Sequence, residues 1–156
     1  MTKLDAEQFD KHYPQLTYET GLFMIDYLRR VNREFENDLT ACVVLGEIAQ
    51  HNIRGLMREK LPRSGLPSGE FATREVVAAN LRRCNAHSVA EASGIPRETV
   101  RRKIEKLVDW GYITRDAKGG LALKPGVSRH FKAFDRQTIV DLCALAERVR
   151  RIVAKG

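Results

Sequence analysis

Residues 88–113 read SVAEASGIPRETVRRKIEKLVDWGYI, and this stretch decides the fold. Ser88-Val89-Ala90-Glu91 fits a capping box, in which the Ser88 hydroxyl accepts from the Glu91 amide and the Glu91 side chain reaches back. It predicts a very short helix closed by Gly94. Pro96 suits the opening turn of a second helix, because its missing N–H would have no intrahelical partner there. That helix is expected over 96–110, with Gly111 just past its C-terminal end. Ala90 is small where two helices must approach closely. Gly94 takes the turn, and Ile95, Val100, Ile104 and Leu107 fill the small core between the helices.

Downstream, Tyr112-Ile113-Thr114-Arg115 and Leu121-Ala122-Leu123-Lys124 are two short strand-like runs. They flank Asp116-Ala117-Lys118-Gly119-Gly120, whose glycines permit a tight reversal, and Pro125-Gly126 ends the hairpin. Upstream, a helix is expected over 73–83 with Val76, Val77 and Leu81 inward, broken by Asn85-Ala86-His87. The order helix, break, short helix, turn, helix, hairpin is that of a helix-turn-helix followed by a β-wing. The expected fold is mainly α with a small β-hairpin: a winged helix-turn-helix with flanking N- and C-terminal helices.

Further out, residues 1–16 are polar and contain Pro14, which reads as a loose arm or short helix. Met24, Leu28, Val31 and Phe35 form a helical stripe that Leu22 and Ile25 widen. Asp38 is the expected N-cap of a second long helix over about 39–61, with Leu45, Ile48, Ala49, Ile53 and Leu56 on one side. Gly46 and Gly55 inside it suggest a close helix crossing. The Pro/Gly/Ser-rich stretch 62–69 marks a boundary. A helical tail capped by Asp135 or an earlier residue carries the stripe Ile139, Leu142, Ala146 and Val149. The expected organisation is an N-terminal helical region over 1–62, a winged block over 70–125 and a helical tail over 126–156.

Composition narrows the class. The chain has 156 residues, 43% hydrophobic and 30% charged, so it buries an adequate core without disulfides or metal. No apolar run approaches the roughly 18 uncharged residues of a membrane helix. The N-terminus reaches Asp5 at once and lacks a secretion signal, so a cytoplasmic location is expected. Cys42, Cys84 and Cys143 have no CxxC spacing and read as small buried apolar residues. His12, His51, His87 and His130 form no metal-ligand pattern, and no cofactor motif is present. No Walker loop, GxSxG or other recognisable catalytic spacing appears, so no catalytic residue and no enzymatic activity are expected. The net charge is +7, unevenly spread. Residues 1–62 are net −2, residues 63–115 net +4 and residues 116–156 net +5, which suggests that the later region meets a polyanion.

At 100° per residue, Val100, Ile104, Leu107 and Val108 share one arc of the helix over 96–110. Opposite them lie Glu98, Arg102, Glu105 and Asp109, flanked by Arg101 on one side and Thr99 and Lys106 on the other. Arg97 sits at the helix start. Arginine pairs in bidentate fashion with O6 and N7 of guanine or with phosphate, and threonine bonds phosphate or touches a thymine methyl. In the wing, Arg115 and Lys118 are placed to meet the DNA backbone or minor groove. With Ser88 at the start of the first short helix, the candidate contact set is Ser88, Arg97, Thr99, Arg101, Arg102, Lys106, Arg115 and Lys118. Trp110 and Tyr112 continue the apolar stripe and read as packing residues.

PRETVRRKIEKLVDWGYITRD resembles the recognition-helix signature of bacterial winged-helix transcriptional regulators. The order of Arg97, Thr99-Val100-Arg101, Ile104, Leu107, Gly111 and Ile113 is similar to GntR-type DNA-binding domains. In those, the residues matching Arg97, Thr99 and Arg101 contact DNA. GntR proteins begin with this domain, whereas here about seventy residues precede it. Total length and terminal helices look more like the MarR group, in which terminal helices form the dimer. The resemblance covers about 50 residues. It implies a sequence-specific regulator of transcription that binds double-stranded DNA as a homodimer, with recognition helix 96–110 in the major groove and wing 112–124 near the backbone. A cavity between the terminal helices and the winged block would be the expected place for a small-molecule effector. The alternative is a winged-helix protein-interaction module that turns the same helix on an acidic partner protein.

Overall fold

The computed structural model describes residues 6–59 and 82–154. Among the described residues five helices run Ala6–Glu34 (α1), Leu39–Glu59 (α2), Ala86–Ser93 (α3), Arg97–Asp109 (α4) and Val127–Ala154 (α5). Strands Ile113–Arg115 (β1) and Leu121–Leu123 (β2) form one antiparallel hairpin. The described chain is therefore mainly helical with a small two-stranded sheet. It divides into two compact units, one of residues 1–37 with 131–156 and one of residues 38–130. This division differs from the three expected spans. α2 belongs with the hairpin block because its apolar face is covered there, and the N- and C-terminal helices belong to one unit. The expected boundary at 62–69 and most of the helix over 73–83 fall outside the described residues. Arg82 and Arg83, the last residues expected in that helix, are not helical.

The described residues of the unit 38–130 share a core. Ala41, Val44, Leu45 and Ile48 of α2 are buried with Val89 and Ala90 of α3, Val100, Ile104 and Leu107 of α4, and Ile113, Leu121 and Ala122 of the hairpin. Asp38 is the α2 N-cap as expected, its Oδ1 accepting from the Ala41 amide at 3.0 Å. Among the described residues no close crossing meets Gly46: a Cβ there would meet nothing within 4 Å. The cap of α3 also differs from the expectation by one turn. Asn85, not Ser88, is the N-cap, and Ser88 is the N3 partner in a reciprocal capping box. An asparagine oxygen accepts from an N3 amide as well as a serine oxygen does, and the turn before Ser88 has no residue that resists helix. Gly94 closes α3 in the left-handed region at φ 69°, and Gly111 ends α4 at φ 75°.

The hairpin is tied to the rest of this unit by backbone pairing and by a buried side chain. Cys84 pairs with Leu121 as an isolated antiparallel bridge, their amides and carbonyls exchanging bonds at 2.7 and 3.4 Å. Asn52 of α2 is fully buried. Its Nδ2 donates to the carbonyls of Arg82 (2.7 Å) and Leu121 (3.2 Å), and its Oδ1 accepts from the Leu123 amide (2.9 Å). The first turn of α5 is held here too, with His130 Nε2 hydrogen-bonded to the Tyr112 hydroxyl at 3.0 Å.

In the other unit α1 and the body of α5 pack antiparallel. Phe35 stacks on Phe131, Tyr27 meets Phe134, Arg30 pairs with Asp141 at 2.9 Å, and Arg148 pairs with Glu19 at 2.6 Å. Leu16, Val31, Phe35 and Val153 are buried. The expected arm over 1–16 is helical from Ala6, with Pro14 inside the helix. Leu16 is buried beyond the proline, so tertiary packing holds a segment that intrinsic propensity disfavours. The tail helix starts at Val127, directly after Pro125-Gly126, rather than near Asp135. The expected tail stripe is also turned. Ile139 is 61% exposed and Leu142 45%, whereas Phe131 and Phe134 face α1. No helix among the described residues is long and apolar enough to cross a membrane.

Candidate nucleic-acid interface

α4 fills the space between α2 and α3 with its apolar arc, and that arc decides which side faces out. Val100, Ile104 and Leu107 are each at most 2% exposed. Arg97, Glu98, Arg101, Arg102 and Glu105 are all exposed. The hairpin then runs back beside the same helix and brings Arg115 and Lys118, both exposed, to it. A groove of about 300 Å³ results, with Arg101, Arg115, Lys118 and His87 around it and Ile104 and Leu121 at its base. Asn85 and Ala86, at the N-terminus of α3, line its other end. Three side-chain cations and a positive helix end thus converge on one opening, an arrangement suited to a phosphate. The whole unit of residues 38–130 carries 16 Lys+Arg against 10 Asp+Glu, net +6, while the other unit is net +1.

The eight sequence-selected residues divide into three sets. Arg101, Arg115 and Lys118 meet at the groove. Arg102 stands free on the outer face of α4, with no ion pair or hydrogen bond to any described residue, and Thr99 is half-buried on the flank. Arg97, Ser88 and Lys106 are engaged elsewhere. Arg97 Nη2 donates to His87 Nδ1 at 2.6 Å, and His87 Nε2 lies 3.3 Å from Glu91 Oε1. The Ser88 hydroxyl is taken up by the α3 cap, accepting from the Asn85 amide at 3.2 Å and donating to the Asn85 carbonyl at 2.9 Å. Lys106 is the clear departure. Its ammonium is held at Asp38 Oδ2 (3.1 Å) beside Lys103 (2.8 Å) and lies over the Trp110 ring at 4.5 Å. Asp38 attracts it because that carboxylate is only 11% exposed and needs cations. Partial burial opposes the charge on Asp38, but the two ammonium groups and the Ala41 amide outweigh it and hold the carboxyl below its ordinary range.

The hairpin tip is closed by Asp116. Its Oδ1 accepts from the amides of Lys118 (2.9 Å) and Gly120 (2.8 Å), and its Oδ2 pairs with Arg83 at 2.8 Å. The Gly120 amide, and with it Lys118 and Arg83, keep the Asp116 carboxyl below the usual carboxylate value. Gly119 takes φ 80° at the reversal. Arg83, His87, Asn52 and Asp116 were not selected from sequence. Asn52 did carry a local signal, a polar residue one turn after Ile48 on an apolar face. The other three act through partners distant in the chain. Trp110 and Tyr112 pack on each other, ring centres 5.7 Å apart, as expected. Of the cysteines Cys84 is buried, Cys42 half-buried and Cys143 exposed, so only the first fits the reading as buried apolar residues. Among the described residues no cluster of His, Cys, Asp or Glu could hold a metal ion.

No protein-family model, curated protein or solved structure matches the chain.

Proposed function

We propose that this chain is a sequence-specific regulator of transcription that binds double-stranded DNA as a homodimer through a winged helix-turn-helix. The observation that carries the reading is the convergence of Arg101, Arg115 and Lys118, from α4 and the hairpin, on one groove at the N-terminus of α3. In this reading α3 and α4 are the helix-turn-helix, and α4 lies in the major groove with Arg101 and Arg102 toward base edges. The hairpin is the wing, and Lys118 with Arg115 meets the backbone. Arg97 is held by His87 at the rim, where a phosphate would compete for it. Lys106 leaves the contact set, because Asp38 and Trp110 occupy it.

The dimer rests on the α1 and α5 unit. Two helices cannot bury apolar residues all round, and these leave Tyr18, Leu22 and Ile25 of α1 and Ile139, Val140 and Leu142 of α5 exposed. A second copy would cover them, and a symmetric dimer reads two half-sites.

Selection of bound fragments from sheared genomic DNA with purified protein tests the proposal. One recurrent motif of two related halves is the expected result, with affinity falling steeply as salt rises. Arg102→Ala is expected to weaken cognate binding by about 1–3 kcal/mol and leave the melting curve unchanged. Recovery of no motif, or salt-independent binding, overturns the reading.

A further inference from the structure

We propose that Glu98 is a specificity determinant of the α4 surface, selecting a base that presents an exocyclic amino group in the major groove, cytosine N4 or adenine N6. The inference rests on the DNA-binding reading above and adds a residue and a base chemistry to it. The exposed side of α4 is not simply basic. Three cations, Arg97, Arg101 and Arg102, share it with three carboxylates, Glu98, Glu105 and Asp109, all exposed. A surface made only to hold phosphate gains nothing from a carboxylate in its leading turn. Glu98 is in that turn, and its side chain is 77% exposed.

Among the described residues its one partner, Arg101, does not hold it. The Arg101 Nη1 to Glu98 Oε2 distance is 3.6 Å, and the Arg101 side chain is 67% exposed. Such a pair is weak in water, and both groups are available to a third partner. An ionised carboxylate only accepts hydrogen bonds. Against the major groove it is repelled by phosphate, by guanine N7 and O6 and by thymine O4. Only an amino group satisfies it. The neighbouring Arg101 has the opposite requirement and is satisfied by guanine or phosphate. Adjacent donors and acceptors of opposite kind therefore read adjacent bases of opposite kind, and Glu98 penalises mixed-sequence DNA where the amino group is missing. Glu98 also suits the helix N-terminus, since negative charge there is favourable. That role alters the stability of α4 and leaves base preference untouched, so the two are separable.

The test is selection from a randomised duplex pool by the full-length wild type, E98A and E98Q. The wild type is expected to show one position restricted to cytosine or adenine on the strand facing α4. E98A should lose discrimination at that position by roughly tenfold to a hundredfold, keep the rest of the motif, and bind mixed-sequence DNA more tightly at low salt. E98Q, whose amide both donates and accepts, should shift the preference toward adenine, the base an amide contacts in bidentate fashion. If the wild type selects a motif and both variants select the same one with unchanged preferences, the inference on Glu98 is overturned and the DNA reading stands. If the wild type selects no motif, the DNA reading falls and this inference with it.

Discussion

Asn52 stands where the apolar stripe of α2 would place a leucine, and all of its polar atoms are used. It bonds the carbonyls of Arg82 and Leu121, 30 and 69 residues away, and the amide of Leu123. Each buried group left without a partner costs about 1–3 kcal/mol. Asn52→Ala is therefore expected to lower the unfolding free energy by about 3 kcal/mol or more, read from urea melts. A loss below about 1 kcal/mol would show that water replaces the side chain. Gly46 is the opposite case. Its spacing suggests a helix crossing, but the position is open. Gly46→Ala should raise stability by about 1 kcal/mol in the same melts, and a decrease would place an unseen neighbour there. The sequence shows both residues as exceptions in a helix. It does not show what faces them, because that depends on chain tens of residues away.

At the scale of elements, the hairpin and α4 were readable and their caps were less so. Alternation around two glycines locates β1 and β2 to within a residue, and the period of Val100, Ile104 and Leu107 locates α4 and its buried face. The α3 cap fell one turn earlier than Ser88 implies, since two capping residues compete at 85 and 88. The hairpin tip depends on a contact that spacing does not reveal. A Cβ on Gly120 would lie 2.6 Å from Asp116 Oδ2 and 3.1 Å from Arg83 Cδ. Gly120→Ala should open the tip and weaken the proposed DNA binding with little change in overall stability. Near-wild-type affinity would show that the tip is not a contact. Asp116 also makes the tip pH-dependent. Its folded carboxyl titrates below the ordinary value, so its contribution is present above about pH 4 and is lost as pH falls through the lower, folded value. The amide resonances of Lys118 and Gly120 should report that loss together in an acid titration. Independent titration of the two would contradict a shared Asp116 acceptor.

At the scale of the whole molecule the charge follows the two units. The −2, +4 and +5 of the three sequence segments become +6 on the unit of residues 38–130 and +1 on the other. Among the described residues the near-neutral unit carries most of the exposed large apolar side chains, including Leu22 at 47% and Ile139 at 61%, against Leu39 and Val43 on the other unit. If the proposed dimer forms through this face, Leu22→Asp with Ile139→Asp converts it to monomer in sedimentation equilibrium while helicity persists. DNA affinity should then drop as the second half-site is lost. A wild type that is already monomeric at tens of micromolar would remove the dimer from the proposal.

The helix and hairpin order from Ser88 to Lys124, the inward arc of α4 and the arginines opposite it were legible in the sequence alone. Those features depend on residues within one or two turns of each other, where periodicity and turn chemistry act directly. Tertiary structure alone decided that α2 closes the hairpin block through Asn52. It also decided that α1 continues through Pro14, that the Ile139 stripe faces outward, and that Lys106 turns to Asp38 while Arg101, Arg115 and Lys118 meet. Each of these is a choice among partners far apart in the chain, made by burial and charge pairing that no local pattern encodes.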